Sequence, residues 1–241
     1  MRPYSIPEPD PDLIVWRYIT FDKFLDLINT KTIYLPRLDQ FNDLHEGYIP
    51  MPNPVSPPFW DVASQRHAWA WRFITFASCW HSFEEENSLM WSPYGGGDGV
   101  VIRSTAQKLA DIASSMPNSY IAEVIYGPWP NPIPSGGHME LPLRKRLEFK
   151  AESELRIVVE NIDLAIIDDF PQLGSNPPLH WPTYMRAPFD GLPLIDEIRL
   201  LPGALPDFNR KVADALSAAG IVAPVLSSSL DPQPIWFDPK A

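Results

Sequence analysis

The sequence predicts a single α+β domain with a strand-rich core, helices packed on it and long proline-rich loops. Three observations favour this class. Short apolar segments typical of strands are mixed with a few stretches in which apolar residues recur at helical spacing. Hydrophobic residues make up 45% of the 241 residues, which is enough to form a buried core. The 29 prolines cluster at 50–58, 128–134 and 171–193, and these clusters predict loops because proline disfavours helix interiors and central strands.

The predicted elements fill a single domain at residues 13–230, between an N-terminal tail at 1–12 and a C-terminal tail at 231–241. Apolar segments predict strands at 13–19, 32–35, 73–80, 99–103, 121–126, 154–159, 164–167, 195–200 and 222–226. Apolar spacing and capping residues predict helices that start at Thr20, span 61–72, run from Ser104 to about Met116, and run from Asp207 to a stop at Gly220. The number of strands and helices favours a mixed α+β domain.

Composition limits the partners of the protein. The formal net charge of −11 disfavours stable binding of nucleic acid, because such binding needs a basic patch that displaces counterions. A single cysteine excludes an internal disulfide and fits a reducing compartment. The sequence has no apolar run of about 18 residues and no apolar signal segment in its acidic, proline-broken N-terminus. We therefore expect a cytoplasmic protein without a membrane partner.

Residues 73–103 are the stretch around which the chain is organised, with two predicted strands joined by an acidic loop and a glycine-rich turn. The three consecutive glycines at 95–97 permit positive φ angles or the close approach of a ligand. Just before them, Trp91, Ser92 and Tyr94 offer two aromatic rings and a hydroxyl, as a pocket wall would. The alternative is that the glycines form only a turn and that the rings belong to the core.

Two groups of acidic residues stand out. Glu152 and Glu154 alternate at the start of a predicted strand, so both carboxylates should face one side of the sheet. Lys150 and Arg156 have the same parity, so the four residues either form part of a site or pair in an exposed ladder of charges. The glutamate run at 84–86 is interpreted as a solvated loop.

Cysteine and histidine do not indicate a zinc site or a nucleophile. The five histidines include no H-x-x-x-H pair and no Cys/His cluster. Cys79 and His81 share one face of a strand, but nothing nearby in the sequence would orient the imidazole, so a buried structural cysteine is favoured.

Five short motifs are spread along the chain. They are W-R-Y at 16–18, F-N-D-x-x-E at 41–46, S-L-M-W-S-x-Y at 88–94, K-x-E-x-E-x-R at 150–156 and I-x-E-I-x-L-x-P-G at 195–203. In this order they resemble an uncharacterised bacterial family, the domain of unknown function 2971, and the resemblance spans residues 13–230. The chain departs from the family pattern at Leu44, where proline is usual, and at Pro93, where histidine is usual.

The layout is also similar to that of NAD-dependent ADP-ribosyltransferases. These enzymes place an Arg or His on a first strand, a polar or aromatic motif on a middle strand and a Glu-x-Glu on a late strand. The matching residues are Arg17, Trp91-Ser92-x-Tyr94 and Glu152-x-Glu154. The resemblance implies a split β-sheet, NAD as the substrate, transfer of ADP-ribose to an acceptor, and no metal ion.

The resemblance also implies roles for these residues. Glu154 would stabilise the oxocarbenium-like ribose and grip its 2′-hydroxyl, while Glu152 would orient or deprotonate the acceptor. NAD binding is expected from Arg17, Tyr18, Asn42, Asp43, Trp91, Ser92 and Tyr94. Within this set the guanidinium would hold the diphosphate or ribose, an aromatic ring would stack on nicotinamide, and the serine hydroxyl would fix the nicotinamide amide or the Glu154 side chain.

The acceptor is left open, as a macromolecule or a small molecule. By analogy with known transferases, we expect a toxin or phage-defence effector with a neutralising partner protein. Two other functions stay open. One is a non-catalytic module that binds a nucleotide or a protein segment in the same cleft. The other is a Mg²⁺-dependent phosphodiester hydrolase, whose acidic and basic residues would be Asp43, Glu46, Glu152, Glu154 and Lys150.

Overall fold

A seven-stranded sheet forms the centre of the molecule, whose computed structural model describes residues 6–43, 45–47, 69–128, 137–165, 171 and 174–232. The strands of this part are β1 (Ile14–Thr20), β2 (Thr32–Pro36), β3 (Thr75–Ser82), β4 (Gly99–Thr105), β5 (Ser119–Glu123), β6 (Ile125–Tyr126), β7 (Arg144–Lys145), β8 (Glu154–Glu160), β9 (Tyr184–Pro188), β10 (Glu197–Leu200) and β11 (Val225–Leu226). The predicted α+β class is confirmed.

Helices are short and cover the sheet. They are α1 (Phe21–Thr30), α2 (Ser88–Met90), α3 (Ala106–Ser114), α4 (Ile162–Ala165) and α5 (Pro206–Ala218). In the part of the chain that the structure describes, 3₁₀ helices lie at Leu38–Gln40, Gly137–Leu143 and Leu147–Glu152, and a π turn lies at Trp91–Gly95. Within the described ranges, no helix has the length and apolar character that a membrane crossing requires.

The strand order of the large sheet is β11-β10-β4-β1-β3-β8-β5. Neighbouring strands are antiparallel except for β10 and β11, which are parallel. Strand β1 is central and pairs with β4 along its whole length. Its pairing with β3 is limited to Val15 opposite Ser82 and Trp16 opposite His81. The sheet therefore opens between β1 and β3 beyond this pair, at the level of Arg17.

The two faces of the sheet carry different layers. On one face, Val15 and Ile19 of β1 pack in a large apolar core with side chains of α1, α3 and α5. On the opposite face, Trp16 and Tyr18 pack with Met90 and Trp91 in a smaller aromatic cluster. This alternation follows from the period of two in a strand, which sends successive side chains to opposite faces.

Most predicted elements are present with shifted ends. The C-terminal helix buries Val212 and Leu216 as its apolar spacing predicts, and Gly220 after it has φ +70°. The helix begins at Pro206, one residue before the predicted start. Thr20 is the N-cap of α1, although its side chain makes no capping hydrogen bond.

Two local predictions are wrong. Ser104 does not cap a helix: it lies in β4, and its buried hydroxyl donates to the Leu194 carbonyl at 2.6 Å, while Thr105 is the N-cap of α3. The sequence predicts a strand at 164–167, but the first two of these residues belong to the short helix α4 (Ile162–Ala165). An apolar run of four residues is too short for periodicity to distinguish a strand from a helix. The rest of that segment, and 61–68 of the helix predicted at 61–72, lie outside the described residues.

Replacing Trp16 tests the aromatic layer. The side chain is 1% exposed, and its Nε1 donates to the Phe83 carbonyl at 2.9 Å. We expect Trp16→Ala to lower the free energy of unfolding by about 3–5 kcal/mol, the usual range for a large buried aromatic. Urea denaturation measures this change. Val222→Ala is the control, because Val222 is 99% exposed and should change stability little; equal losses in both variants would contradict the assignment of Trp16 to the core.

Candidate functional site

A buried group of charges lies where β7, the start of β8 and the turn after the first 3₁₀ helix meet. Lys145 is at its centre. Its Nζ lies 2.5 Å from Glu152 Oε2, 2.9 Å from Glu154 Oε1 and 3.2 Å from Glu46 Oε1. These four side chains are only 2–15% exposed, so water screens their interactions weakly.

Arg156 completes this group from within the sheet. Its guanidinium is fully buried, with NH1 2.6 Å from Glu46 Oε2 and Nε donating to Glu154 Oε2 at 2.7 Å. NH1 also donates to the Pro142 carbonyl at 2.6 Å. We call the five residues the ion-pair cluster: Glu46, Lys145, Glu152, Glu154 and Arg156. With three carboxylates and two cations it has an excess negative charge when all are ionised, which favours protonation of one carboxylate.

The cluster separates the pKa values of its two neighbouring glutamates. Burial would raise the pKa of Glu154, but Arg156, the hydrogen bond with Glu152 and Lys145 together hold it well below its usual range. Burial and the hydrogen bond with Glu154 raise the pKa of Glu152 to about 7. Glu154 is therefore the permanently charged member, and Glu152 is the member suited to proton transfer near neutral pH.

The surroundings of the two glutamates differ from the prediction. Glu152 ends a 3₁₀ helix rather than lying in a strand, and Ser153 between them has φ +41°. Both carboxylates nevertheless meet on Lys145, so the reading of an exposed ladder is wrong. Lys150 is exposed and takes no part, whereas Arg156 shares the face of Glu154 as predicted.

An aromatic group lies on the same face of the sheet as Glu154. It consists of Tyr18, His81, Trp91 and Tyr94. The Tyr18 ring meets Trp91 edge-on at 5.1 Å between centroids and lies 5.9 Å from His81. The His81 ring lies 5.0 Å from Tyr94. The face is fixed by the backbone, because His81 of β3 pairs with Glu154 of β8.

Hydrogen bonds join the aromatic group to its surroundings. His81 Nδ1 lies 2.8 Å from the backbone carbonyl oxygen of Glu152. The Tyr18 hydroxyl accepts from the Asn87 N–H at 2.7 Å, and burial raises the pKa of Tyr18 to about 12. Burial and nearby Glu152 also raise the pKa of Tyr94, so both phenols stay neutral at physiological pH. Tyr94 is half-buried, and its exposed part can contact a ligand.

The glycines before β4 serve the packing of Trp91. A Cβ atom on Gly95 would lie 2.6 Å from Cε3 of the Trp91 ring, which is too close for any side chain. Gly96 has φ +63° and ψ −151°, a backbone conformation that other residues rarely adopt. The glycine turn therefore positions the buried Trp91 ring. Ser92 in the same π turn is exposed.

Arg17 lies in the opening between β1 and β3. Its position in β1 belongs to the face of Val15 and Ile19, opposite to that of Tyr18. The guanidinium donates to the Ser78 hydroxyl and, at 2.8 Å, to the Cys79 carbonyl. It also lies over the Trp80 ring, 5.6 Å from the centroid. Arg17 thus bridges the two strands where their own pairing ends.

Asn42 and Asp43 lie in the turn that carries Glu46. Asn42 is exposed. The Asp43 side chain is 8% exposed, with Oδ1 accepting from the His45 N–H at 3.0 Å and lying 3.5 Å from Arg146 NH2. Of the predicted site residues, the structure thus brings Tyr18, Trp91, Tyr94, Glu152 and Glu154 onto one face, with Asp43 beside the ion-pair cluster and Arg17 in the strand opening.

Glu86 corrects the reading of the acidic run at 84–86 as a solvated loop. Glu84 and Glu85 are exposed, but the Glu86 carboxylate is fully buried. Oε1 accepts from Trp91 Nε1 at 2.8 Å and the Ser228 hydroxyl at 2.6 Å. Oε2 accepts from the Ser229 N–H at 2.7 Å and hydroxyl at 2.8 Å. The burial cost of this charge is offset by these donors, which tie the π turn to the C-terminal segment.

Cysteine and metal chemistry gain no support from the geometry. Burial raises the pKa of the Cys79 thiol far above its usual value, so no reactive thiolate forms, in line with a structural cysteine. Among the residues that the structure describes, no three His, Cys, Asp or Glu side chains are arranged to hold a metal ion. In the ion-pair cluster, Lys145 and Arg156 occupy the space between the carboxylates. This arrangement does not favour the Mg²⁺ reading.

Two members of the site were not predicted as functional residues. Lys145 lies in a basic stretch without strand or helix periodicity, so nothing in the sequence relates it to Glu154. His81 was considered only as a partner of Cys79. The signal that points to it is positional: it lies in the same apolar strand as Trp80 and next to the acidic loop, but only the pairing with β8 places it beside Glu154.

The raised pKa of Glu152 predicts a pH effect on stability. The folded protein keeps a proton on Glu152 up to about pH 7, whereas the unfolded chain loses it near the ordinary value of 4.5. Between these values the folded state binds more protons, so the free energy of unfolding falls as the pH rises. The melting temperature of Glu152→Gln, relative to wild type, should therefore rise between about pH 5 and about pH 8. Exposed Glu148→Gln is the control, and a difference that does not change with pH would contradict the raised pKa.

Glu86→Gln tests the buried carboxylate. A glutamine keeps the shape but offers only one acceptor oxygen, so at least one buried donor loses its partner. We expect the free energy of unfolding to fall by about 1–3 kcal/mol, measured by urea denaturation. Glu85→Gln removes the same charge from an exposed neighbour and should be nearly neutral. If both variants lose the same stability, the hydrogen bonds to Glu86 do not matter.

Comparisons with known proteins complete the description. No protein-family model matches the chain, so its membership in the domain of unknown function 2971 stays a prediction. No curated protein matches it either. Among solved structures, the chain is similar to Thermus sp. 2.9 DarT in complex with carba-NAD+, with 13% sequence identity and a TM-score of 0.37. The match covers 91% of this chain and 96% of that chain, but a likeness this weak does not bear on activity.

Proposed function

We propose that the protein cleaves the bond between nicotinamide and ribose in NAD and transfers ADP-ribose to an acceptor. The observation that carries this proposal is the pairing of an ionised and a proton-exchanging glutamate beside an aromatic group on one face of the sheet. Glu154 and Glu152 meet on Lys145, and the backbone of Glu152 contacts His81. Such a site matches a reaction that builds positive charge on a sugar and removes a proton from a nucleophile.

Glu154 would supply the negative charge. Loss of nicotinamide leaves an oxocarbenium-like ribose, whose positive charge a fixed carboxylate stabilises without reorganisation. Arg156 and Lys145 hold the Glu154 carboxylate in place and ionised. Because both oxygens of Glu154 already accept hydrogen bonds, its role in this proposal is mainly electrostatic.

Glu152 would act on the acceptor. It is the most exposed carboxylate of the ion-pair cluster, and its pKa of about 7 matches a group that accepts a proton near neutral pH. As the acceptor nucleophile attacks the ribose carbon, its proton would pass to Glu152, and nicotinamide leaves with the electron pair of the broken bond.

The remaining residues would bind NAD or hold the site in place. Tyr94 offers the half-buried ring that can stack on nicotinamide, while the buried Trp91 supports the turn that carries it. Tyr18 packs between the rings of Trp91 and His81 and so holds the aromatic group in place. Arg17 lies on the other face of the sheet, where its NH1 donates to the Ser78 hydroxyl and the Cys79 carbonyl, so in the proposal it joins β1 to β3 beside the site rather than binding NAD.

A second function is favoured by one specific observation. Lys145 and Arg156 already satisfy the Glu154 carboxylate, as in a network that only stabilises the fold. The same face would then serve as a non-catalytic site for a nucleotide or a protein segment. This module would bind its ligand through Tyr94 and the aromatic group without releasing nicotinamide.

The decisive experiment measures nicotinamide release from NAD by wild type, Glu154→Gln and Glu152→Gln. Loss of one preorganised charge should lower release by about 10²–10³ in Glu154→Gln, with NAD affinity held within a few-fold. Glu152→Gln should keep slow hydrolysis of NAD and impair transfer to an acceptor. Glu148→Gln is the matched control, because it lies in the same 3₁₀ helix and its side chain is 60% exposed.

Folding must be checked in the same samples, since Glu154 is buried and charged. Melting temperature and near-ultraviolet circular dichroism show whether Glu154→Gln is folded at the assay temperature. Unchanged release in a folded Glu154→Gln, from an active wild type, would contradict its role. A wild type that binds NAD without releasing nicotinamide would support the non-catalytic module instead.

A further inference from the structure

His81 has a defined protonation state that follows from its contacts. The residue is 3% exposed, and its Nδ1 lies 2.8 Å from the backbone carbonyl oxygen of Glu152. A carbonyl oxygen can only accept a hydrogen bond, so Nδ1 must carry a proton. Burial lowers the pKa of His81, which leaves the ring neutral near pH 7. In a neutral imidazole with a proton on Nδ1, Nε2 carries a lone pair and is an acceptor.

This acceptor has no protein partner in the described part of the chain. The only hydrogen bond of the His81 side chain there is the one made by Nδ1. The neighbouring Tyr18 hydroxyl accepts from Asn87, and the Tyr94 ring meets His81 with a tilt of 49° and no hydrogen bond. Nε2 is not one of the fully enclosed side-chain atoms that lack a partner in this part of the chain, so its lone pair can be reached by a ligand or a water.

The position of His81 in the sheet places its Nε2 in the site already described. It pairs with Trp16 on one side and with Glu154 on the other, so its side chain shares their face. Its ring lies 5.0 Å from Tyr94, the aromatic residue with exposed surface, and its anchor is the backbone of Glu152. The ring thus stands between the stacking surface and the carboxylate pair.

We propose that His81 is a ligand-binding residue, whose Nε2 accepts a hydrogen bond from a neutral O–H or N–H group of the bound molecule. Nδ1, held by the Glu152 carbonyl, fixes the ring for this contact. The identity of the ligand rests on the proposed function: in NAD the donor is either a hydroxyl of the ribose next to nicotinamide or the N–H of the nicotinamide carboxamide. Both are neutral donors, and they differ in which part of NAD carries them.

Two substitutions separate the two nitrogen atoms. In His81→Asn the side-chain amide can replace the Nδ1 donor to Glu152, but nothing reaches the position of Nε2. In His81→Gln the longer side chain can place its carbonyl oxygen near Nε2, but the Nδ1 donor is lost. His180→Asn, at an exposed histidine, is the control. Affinity for NAD, ADP-ribose and nicotinamide is measured by isothermal titration calorimetry, and melting temperature reports folding.

We expect His81→Asn to melt close to wild type but to bind NAD about ten- to hundred-fold more weakly, the effect of a lost hydrogen-bond acceptor. His81→Gln should melt lower and keep NAD affinity within a few-fold. A loss confined to ADP-ribose assigns the donor to the ribose, and a loss confined to nicotinamide assigns it to the carboxamide.

Three outcomes would overturn the proposal. NAD affinity unchanged in both His81→Asn and His81→Gln would mean that Nε2 faces only water. Weaker binding in His81→Gln, with normal binding in His81→Asn, would mean that His81 acts only by positioning Glu152. A wild type that binds none of the three probes would overturn both this inference and the proposed function. The two separate when NAD binds but no nicotinamide is released: weaker binding by His81→Asn then supports the binding role while the transferase proposal fails.

Discussion

The buried ion-pair cluster is the constraint on which the rest of the site depends. Transferring charges from water into a protein interior costs several kcal/mol per ion, and the cost is offset only if the geometry of the partners is nearly ideal. Lys145 and Arg156 provide that geometry by reaching three carboxylates at 2.5–3.2 Å. The cluster therefore fixes four segments of the chain at once: the turn before residue 47, β7, the end of a 3₁₀ helix and β8.

This arrangement links the stability of the site to its chemistry. The cluster has one carboxylate more than it has cations, so protonation of one carboxylate is favoured. Glu152, the most exposed of the three carboxylates, is the one whose pKa is raised. Glu154 stays ionised because its partners are buried with it. A difference in environment thus gives two adjacent glutamates different properties. The same difference would allow one to stabilise a cation and the other to accept a proton.

The aromatic group is held by contacts of a different kind. Glu86 binds the Trp91 indole and the serines after β11, so a distant segment of the chain supports the π turn. Tyr18 packs against Trp91 and accepts from the backbone of Asn87. Because these rings are fixed from behind, the members of the aromatic group and the ion-pair cluster that keep surface or hydrogen-bonding capacity for a ligand are Tyr94, His81 and Glu152. Substitutions at these three positions should therefore change ligand binding more than substitutions at Trp91 or Tyr18 that preserve packing.

The sequence by itself determined the α+β class, most strands, and the amphipathic helix ending at Gly220, because periodicity and turn preferences act between near neighbours. It also gave several candidate residues that the structure brings together, among them Tyr94 and Glu154. Only the tertiary structure decided which charges are buried and how they pair. Glu86 appears solvated in sequence, yet its partner Ser228 lies 142 positions away. Lys145, not Lys150, neutralises Glu154, because burial and ion pairing depend on how distant segments meet, and no local pattern records that.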